Sequence, residues 1–358
     1  MSLSVVRDIR TQSQPASAEQ LDALEVDLFA GYVLARASAG VADSSIRSEI
    51  GSLEQVRRWF GRPLWELGTS DADAYFGKAL RTTASATRQR KAFAVTTYFR
   101  FLDLRHKADI YQLTGHVVEC PLDELNTPRG GRDMALRIPP TDREIEALFA
   151  GWRGELESCR KFATAARSYA ACRLMEKVGL RINEVRMLDF DDVRWELGRF
   201  GKLHVRYGKG ARRSGPRERI VPLINGADAL LRWYIEDVWG LFDDDHTRPG
   251  AALFSSERRY PGGASARMGD GSVRSGLAEQ VRRHLPTWQG KLTPHVLRHY
   301  CASQMYLSGM DLMAIQELLG HEWLVTTMRY VHAHREFIED SWLAGQQRAA
   351  TRLQRLPQ

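Results

Sequence analysis

The chain has 358 residues, of which 43% are hydrophobic and 27% charged, with a formal net charge of +7. That size and balance suit two globular domains, each able to bury a core, and exclude a low-complexity disordered chain or a small disulfide-stapled scaffold. The positive balance points to an acidic partner, nucleic acid foremost, while the lack of a secretory leader or of any ~18-residue apolar run argues for a cytoplasmic protein with no membrane partner.

In chain order, residues 1–18 are polar, rich in Ser and Gln, and read as a mobile tail. Residues 19–115 carry helical patterning throughout. Leu21, Leu24, Leu28, Tyr32 and Val33 recur near the helical period, Ser44 or Ser45 suits the cap of a second helix, and Ser70 or Asp71 opens a third. A fourth starts at Ser85, and its first turns hold Arg88, Arg90 and Lys91. Positive side chains at a helix start oppose the helix dipole, which makes these three candidates for contact with an anionic partner such as DNA, a solvated charged face being the alternative.

Residues 116–140 read as a linker punctuated by Pro121, Pro128, Gly130, Gly131, Pro139 and Pro140, with Arg129 and Arg132 as further DNA candidates. Residues 141–334 read as a second, mixed domain. It opens with a capping box, Thr141 to Glu144, and carries a helix from Ala165 to Val178 that ends at Gly179. Strand-like runs follow at Gly201–Tyr207 and Arg219–Leu223, joined by a basic loop holding Arg212 and Arg213. Ala227–Leu241 returns to helix. Arg258–Ser272, with Arg258, Arg259 and Arg267, reads as an inserted loop able to touch DNA, and Val273–His284 as another helix. Leu292–Leu319 reads as one long amphipathic segment after its opening polar cluster, and residues 335–358 as an amphipathic tail. The expected class is mainly α with a small antiparallel β-sheet (α+β). The cysteines, Cys120, Cys159, Cys172 and Cys301, lack metal-like spacing and read as buried free thiols.

Two passages carry chemistry: Gly179-Leu180-Arg181-Ile182-Asn183-Glu184, and the run from His295-Val296-Leu297-Arg298-His299 to His332. Metal-free attack on a phosphodiester needs fixed donors for the nonbridging oxygens, and arginine grips two oxygens while staying protonated. Arg181 and Arg298 are candidates, with His295 one helical turn before Arg298. Tyr330 is a candidate nucleophile, whose phenol needs nearby cations or a base at neutral pH. Lys209, between glycines, suits proton delivery to a leaving oxygen, with Lys202 of the same hairpin as the alternative. Taken singly, each has a bland alternative: a structural ion pair for either arginine, a core or surface position for the tyrosine, a solvated turn for the lysine.

Taken together they resemble the tyrosine recombinase (phage integrase) family. Gly179–Glu184 is similar to its GLRxxE box, His295–His299 to HxLRH, and Leu318-Leu319-Gly320-His321 followed by Thr327–Tyr330 to LLGH…TxxYxH, with His332 as the trailing histidine. The resemblance implies a helical core-binding domain at 19–115 and a catalytic domain at 141–334, in the two-domain plan of Xer or Cre. It implies that Tyr330 forms a 3′-phosphotyrosyl link, that Arg181, Arg298 and His321 hold the phosphate, and that Lys209 protonates the leaving 5′-oxygen. His295 would assist proton transfer, with Glu184 and His332 supporting. It implies no cofactor and no metal. The partners implied are double-stranded DNA with specific sites and a homo-tetramer exchanging strands through a Holliday junction, in the bacterial nucleoid. The free chain would be a monomer or dimer, and an accessory protein or second recombinase stays open. Phe337, Ile338, Trp342 and Leu343 would dock on a neighbouring subunit; a terminal helix packed on its own domain is the alternative.

Three other readings stand beside this one. The same chemistry serves type IB topoisomerases and telomere resolvases. A non-catalytic DNA-binding regulator of the same fold would keep the boxes without the activity. A metal hydrolase using His295, His299, His321, His332 and His334 is disfavoured, because neither HExxH nor an acidic ligand set accompanies them.

Overall fold

The computed structural model describes residues 17–129, 139–208 and 217–320, together with Gln346. The chain divides between residues 135 and 136 into two compact units.

The first unit is helical. Ser17 caps α1 (Ala18–Ser38) by accepting the Gln20 N–H at 3.2 Å, while the Gln20 side chain accepts the Ser17 N–H at 2.8 Å. α2 (Asp43–Phe60) starts after Ala42, ahead of the serines expected to cap it, and stops at Gly61 with φ +77°. α3 (Thr69–Ala74) runs into a π turn at Tyr75–Ala79, and α4 (Ser85–Arg105) is followed by the short α5 (Lys107–Thr114). Leu28, Tyr32, Leu53, Val56, Trp65 and Tyr98 are buried together. Tyr98 is central: Phe29 stacks on it at 5.3 Å and Tyr32 meets it edge-on at 5.4 Å. Val118 and Leu122 join this core, so the packing continues past residue 115 into the stretch expected as linker. Two isolated anchors make no period, and the turn holding them closes locally, with Asn126 Nδ2 donating to the Pro121 carbonyl at 3.0 Å.

The second unit is built around α7 (Phe162–Val178), which α6 (Asp142–Leu156) precedes. The Thr141–Glu144 box forms as expected, with Glu144 Oε2 accepting the Thr141 N–H at 2.8 Å. Ala166, Ala170, Ala171 and Cys172 are fully buried, and such small side chains let neighbouring elements approach α7 closely on several sides. After α8 (Ile182–Met187) come β1 (Val193–Arg194), β2 (Lys202–Gly208) and β3 (Arg217–Pro222), an antiparallel sheet in that order. Leu203 pairs with Val221 and Val205 with Arg219, so alternation puts Leu203, Val205, Arg219 and Val221 on the inward face. α9 (Ala227–Trp233) continues through a π turn, Tyr234–Val238, rather than as one helix to Leu241.

Further expectations need correction. Part of the stretch expected as an inserted loop is a hairpin, β4 (Ser255–Arg259) with β5 (Ser265–Arg267), whose glycine-rich turn hid short strands. The segment Leu292–Leu319, expected to be continuous, is two helices: after α10 (Asp270–His284) come α11 (Pro294–Leu307) and α12 (Leu312–Leu319), separated by a short break. Gly309, with φ +87°, breaks the path, and Asp311 restarts it by accepting the Met313 N–H at 2.8 Å. The architecture is otherwise mainly α with small antiparallel sheets, as expected. Cys172 and Cys301 are buried, but Cys159 is half-buried and Cys120 exposed, against the expectation that all four are buried. No helix among the described residues is long and apolar enough to cross a membrane.

Candidate active site

The site forms where the end of α7, the start of α8, the first turns of α11 and the end of α12 meet. α7 stops at Gly179, φ +68°, and a Cβ there would lie 2.4 Å from Leu319 Cδ2, so the glycine is required by both conformation and the approach of α12. Leu180 is buried, and Arg181 then sits at the N-cap of α8. Glu184, in the first turn of α8, folds back: its Oε2 accepts the Arg181 N–H at 2.8 Å and its Oε1 the Arg181 Nη1 at 2.7 Å. A carboxylate at a helix start satisfies open N–H groups and suits the dipole.

Arg298 comes from α11. It lies on the helix's inward stripe with Cys301, Ala302 and Met305 and is only 2% exposed. Its Nη2 donates to the Leu319 carbonyl at 2.6 Å, its Nη1 donates to the Gly179 carbonyl, and Nη1 lies 3.8 Å from Glu184 Oε2. Arg181 Nη2 reaches the Gly320 carbonyl at 3.3 Å. Cationic donors thus meet the open carbonyls at the C-terminal end of α12, where the helix dipole is negative.

A further arginine enters from the sheet. Arg219 on β3 takes Glu184 with both arms, Nη1 to Oε1 at 2.9 Å and Nη2 to Oε2 at 2.8 Å, while its Nε donates to the Leu318 carbonyl at 2.9 Å. In the sequence Arg219 stands at the start of a strand within a crowded basic stretch, and neither fact marks it for the site. The signal available was its position in the strand, on the inward face with Val221, where an arginine needs a buried partner. Burial pushes the Glu184 carboxyl up, but hydrogen bonding to Arg219 and the charges of Arg219, Arg181 and Arg298 prevail and hold it down at about 2. Among the described residues, three guanidinium groups thus surround one ionised carboxylate.

His295 is exposed in the first turn of α11, its ring 4.3 Å from that of His299 and edge-on to it. The one-turn spacing to Arg298 therefore does not give the two equal exposure. The candidates Lys209, His321, Tyr330 and His332 lie outside the described residues, as do Arg132, Arg212, Arg213, Phe337, Ile338, Trp342 and Leu343. Among the described residues no group of three or more His, Cys, Asp or Glu is arranged to hold a metal ion.

Of the DNA candidates, Arg90, Arg129 and Arg258 are exposed, and Arg88 is half-buried with its Nε enclosed. Arg259 is exposed too, though it braces its own hairpin, with Nη1 to the Gly263 carbonyl at 2.9 Å and Nη2 to Asp243 at 3.1 Å. Lys91 is a correction: it is 5% exposed, and its Nζ donates to Gln55 and, at 3.1 Å, to the Tyr75 hydroxyl. Burial, with Arg90 alongside, lowers its ammonium below the ordinary lysine range. The cause lies in the period, since Lys91, Val95, Tyr98 and Leu102 share one helix face. Arg267 is a second correction, because it is bound to Asp189 and donates to the Leu188 carbonyl at 3.0 Å.

The phage integrase family model matches residues 153–336. Tyrosine recombinase XerC of Roseiflexus castenholzii is 29% identical over 256 residues, covering 72% of this chain and 71% of that protein. Among solved structures, the fold is similar to that of the XerH site-specific recombinase bound to palindromic difH substrate in a post-cleavage complex. The TM-score is 0.61 at 18% identity, covering 91% of this chain and 84% of that one. The Tn1549 transposon integrase in complex with transposon right end DNA gives a TM-score of 0.58 at 16% identity, covering 91% and 99%.

Proposed function

The chain belongs to the phage integrase family, that of the tyrosine recombinases, and from that premise we propose that it is a site-specific recombinase that cuts and rejoins DNA through a covalent tyrosyl intermediate. The observation that carries this reading is the meeting of Arg181 and Arg298 beside the end of α12, around a carboxylate that neutralises only part of their charge. An anionic phosphodiester complements such a surplus, and fixed guanidinium donors stabilise charge that grows on its nonbridging oxygens. Further support comes from the recombinase names of the relatives and from solved neighbours of the same fold held on DNA.

In the proposed reaction the Tyr330 phenolic oxygen attacks the scissile phosphorus as the bond to the 5′-oxygen breaks. Arg181, Arg298 and His321 hold the nonbridging oxygens. Lys209 gives a proton to the departing 5′-oxygen, and His295 assists removal of the phenolic proton. Glu184 holds Arg181 in place, and His332 supports the tyrosine. The phosphotyrosyl bond preserves the energy of the broken one, so a 5′-hydroxyl from a second strand can reverse the step without ATP. Tetramer assembly on two duplexes, with a Holliday junction between paired exchanges, completes the proposal.

Covalent trapping tests it. A duplex selected from a random-sequence pool by the wild-type chain is nicked, labelled and incubated without divalent metal. Wild type should yield an SDS-stable adduct and Tyr330→Phe none. An adduct from both would move the nucleophile elsewhere, and bound DNA without any adduct would favour the regulator reading.

A further inference from the structure

We propose that Arg219 is a positioning residue of this active site: by gripping Glu184 and the end of α12, it keeps Arg181 and Arg298 directed at the phosphodiester. The proposal rests on the recombinase reading above and adds to it a residue that lies in none of the matching boxes.

The geometry makes Arg219 the main partner of Glu184. Its two Nη atoms take one carboxylate oxygen each, at 2.9 and 2.8 Å, a two-point pairing, whereas the Arg181 guanidinium gives Glu184 a single Nη at 2.7 Å. Arg298 stands farther off, at 3.8 Å. Without Arg219 the buried carboxylate would lack its best donors, and among the described residues Arg181 and Arg298 are the cations within reach to replace them. Each would then turn further toward Glu184 and away from a bound phosphate. The same side chain fastens α12, through Nε to the Leu318 carbonyl at 2.9 Å.

Two further observations tie Arg219 to its surroundings. Gly320 has φ +63°, and a Cβ there would stand 3.0 Å from Arg219 Cδ and 3.2 Å from its Nε, so the glycine after α12 also makes room for this arginine. On the sheet side, Gly208 pairs with Arg217, two residues before Arg219 in β3. Lys209 follows Gly208 directly in the chain. Arg219 therefore connects β3, the Glu184 carboxylate and the end of α12.

The test separates chemistry from folding and from DNA binding. Arg219→Gln and Arg219→Lys are compared with wild type on the selected, nicked duplex, measuring single-turnover adduct formation, DNA affinity and thermal unfolding. Arg219→Gln should slow adduct formation about 10–100-fold, the usual cost of removing a group that orients a reactive one, while affinity stays nearly unchanged. Arg219→Lys, which keeps the charge but loses the two-point grip, should recover part of the rate. Equal rates in all three proteins would overturn the proposal and leave the recombinase reading standing. So would a rate loss matched by equal losses of affinity or folded protein, which would mark a purely structural residue. Failure of wild type to form an adduct on bound DNA would instead overturn the recombinase reading and this proposal with it.

Discussion

Glu184, near the start of α8, and Asp189 and Asp192, just beyond its end, are all buried carboxylates held by arginines. At Glu184, Arg181, Arg219 and Arg298 face a single carboxylate. At the neighbouring cluster Arg206 bridges Asp189 and Asp192, with Nε 2.7 Å from Asp192, and Arg267 binds Asp189 from β5. There two cations meet two anions. Hydrogen bonding to Asp192 raises the Arg206 guanidinium above its ordinary value, as expected for a pair whose charges are spent on each other. The balanced cluster fastens the β4–β5 hairpin to β2, whereas at Glu184 the described guanidinium groups outnumber the carboxylate, as the proposed phosphodiester site requires. Arginine alone therefore does not mark the site; the ratio of guanidinium groups to buried carboxylates does.

That contrast is open to direct attack. The largest expected effect is on the balanced cluster: Asp189→Asn leaves Arg267 and Arg206 under-paired and should lower unfolding free energy by roughly 3–5 kcal/mol, read by urea denaturation. Adduct formation per folded molecule should stay at the wild-type rate; a rate loss there would erase the distinction between the clusters. Arg181→Ala should do the reverse. Adduct formation should fall about 10²–10³-fold, with a far smaller change in urea midpoint, and a stability loss as large as that of Asp189→Asn would mark Arg181 as structural.

The smallest effect sharpens the account of Glu184. Its folded carboxyl is held at about 2 against an ordinary 4.5, so the depressed value contributes stability above the ordinary pKa. That contribution is lost as pH falls from about 4.5 toward 2, and amounts to something on the order of 3 kcal/mol. The stability gap between wild type and Glu184→Gln should accordingly narrow on acidification below pH 4.5. A gap that stays constant would show that the three arginines do not hold this carboxylate ionised.

Much of this molecule was legible before its structure. Gly179 as a helix stop, the Thr141 cap and the paired strands follow from local chemistry, where a residue's conformational preference acts on its immediate neighbours. Arg181, Glu184 and Arg298 were legible because their spacing is carried by short motifs. Lys91 was misread although its helix period held the answer, because charge was weighed above position. The division of Leu292–Leu319 at Gly309 is hidden for a different reason: both halves are amphipathic and the period does not lapse for long.

The sequence by itself determined most of the helices, the Thr141 cap and the family boxes, which depend on residues close in the chain, and the positive balance, which is a sum over it. Only the tertiary structure decided which charges meet. Arg219 lies 35 residues from Glu184 and 99 from Leu318, and Arg267 lies 78 from Asp189. Ion pairing is set by distance in space and by exclusion of water, and neither is written in the order of the chain.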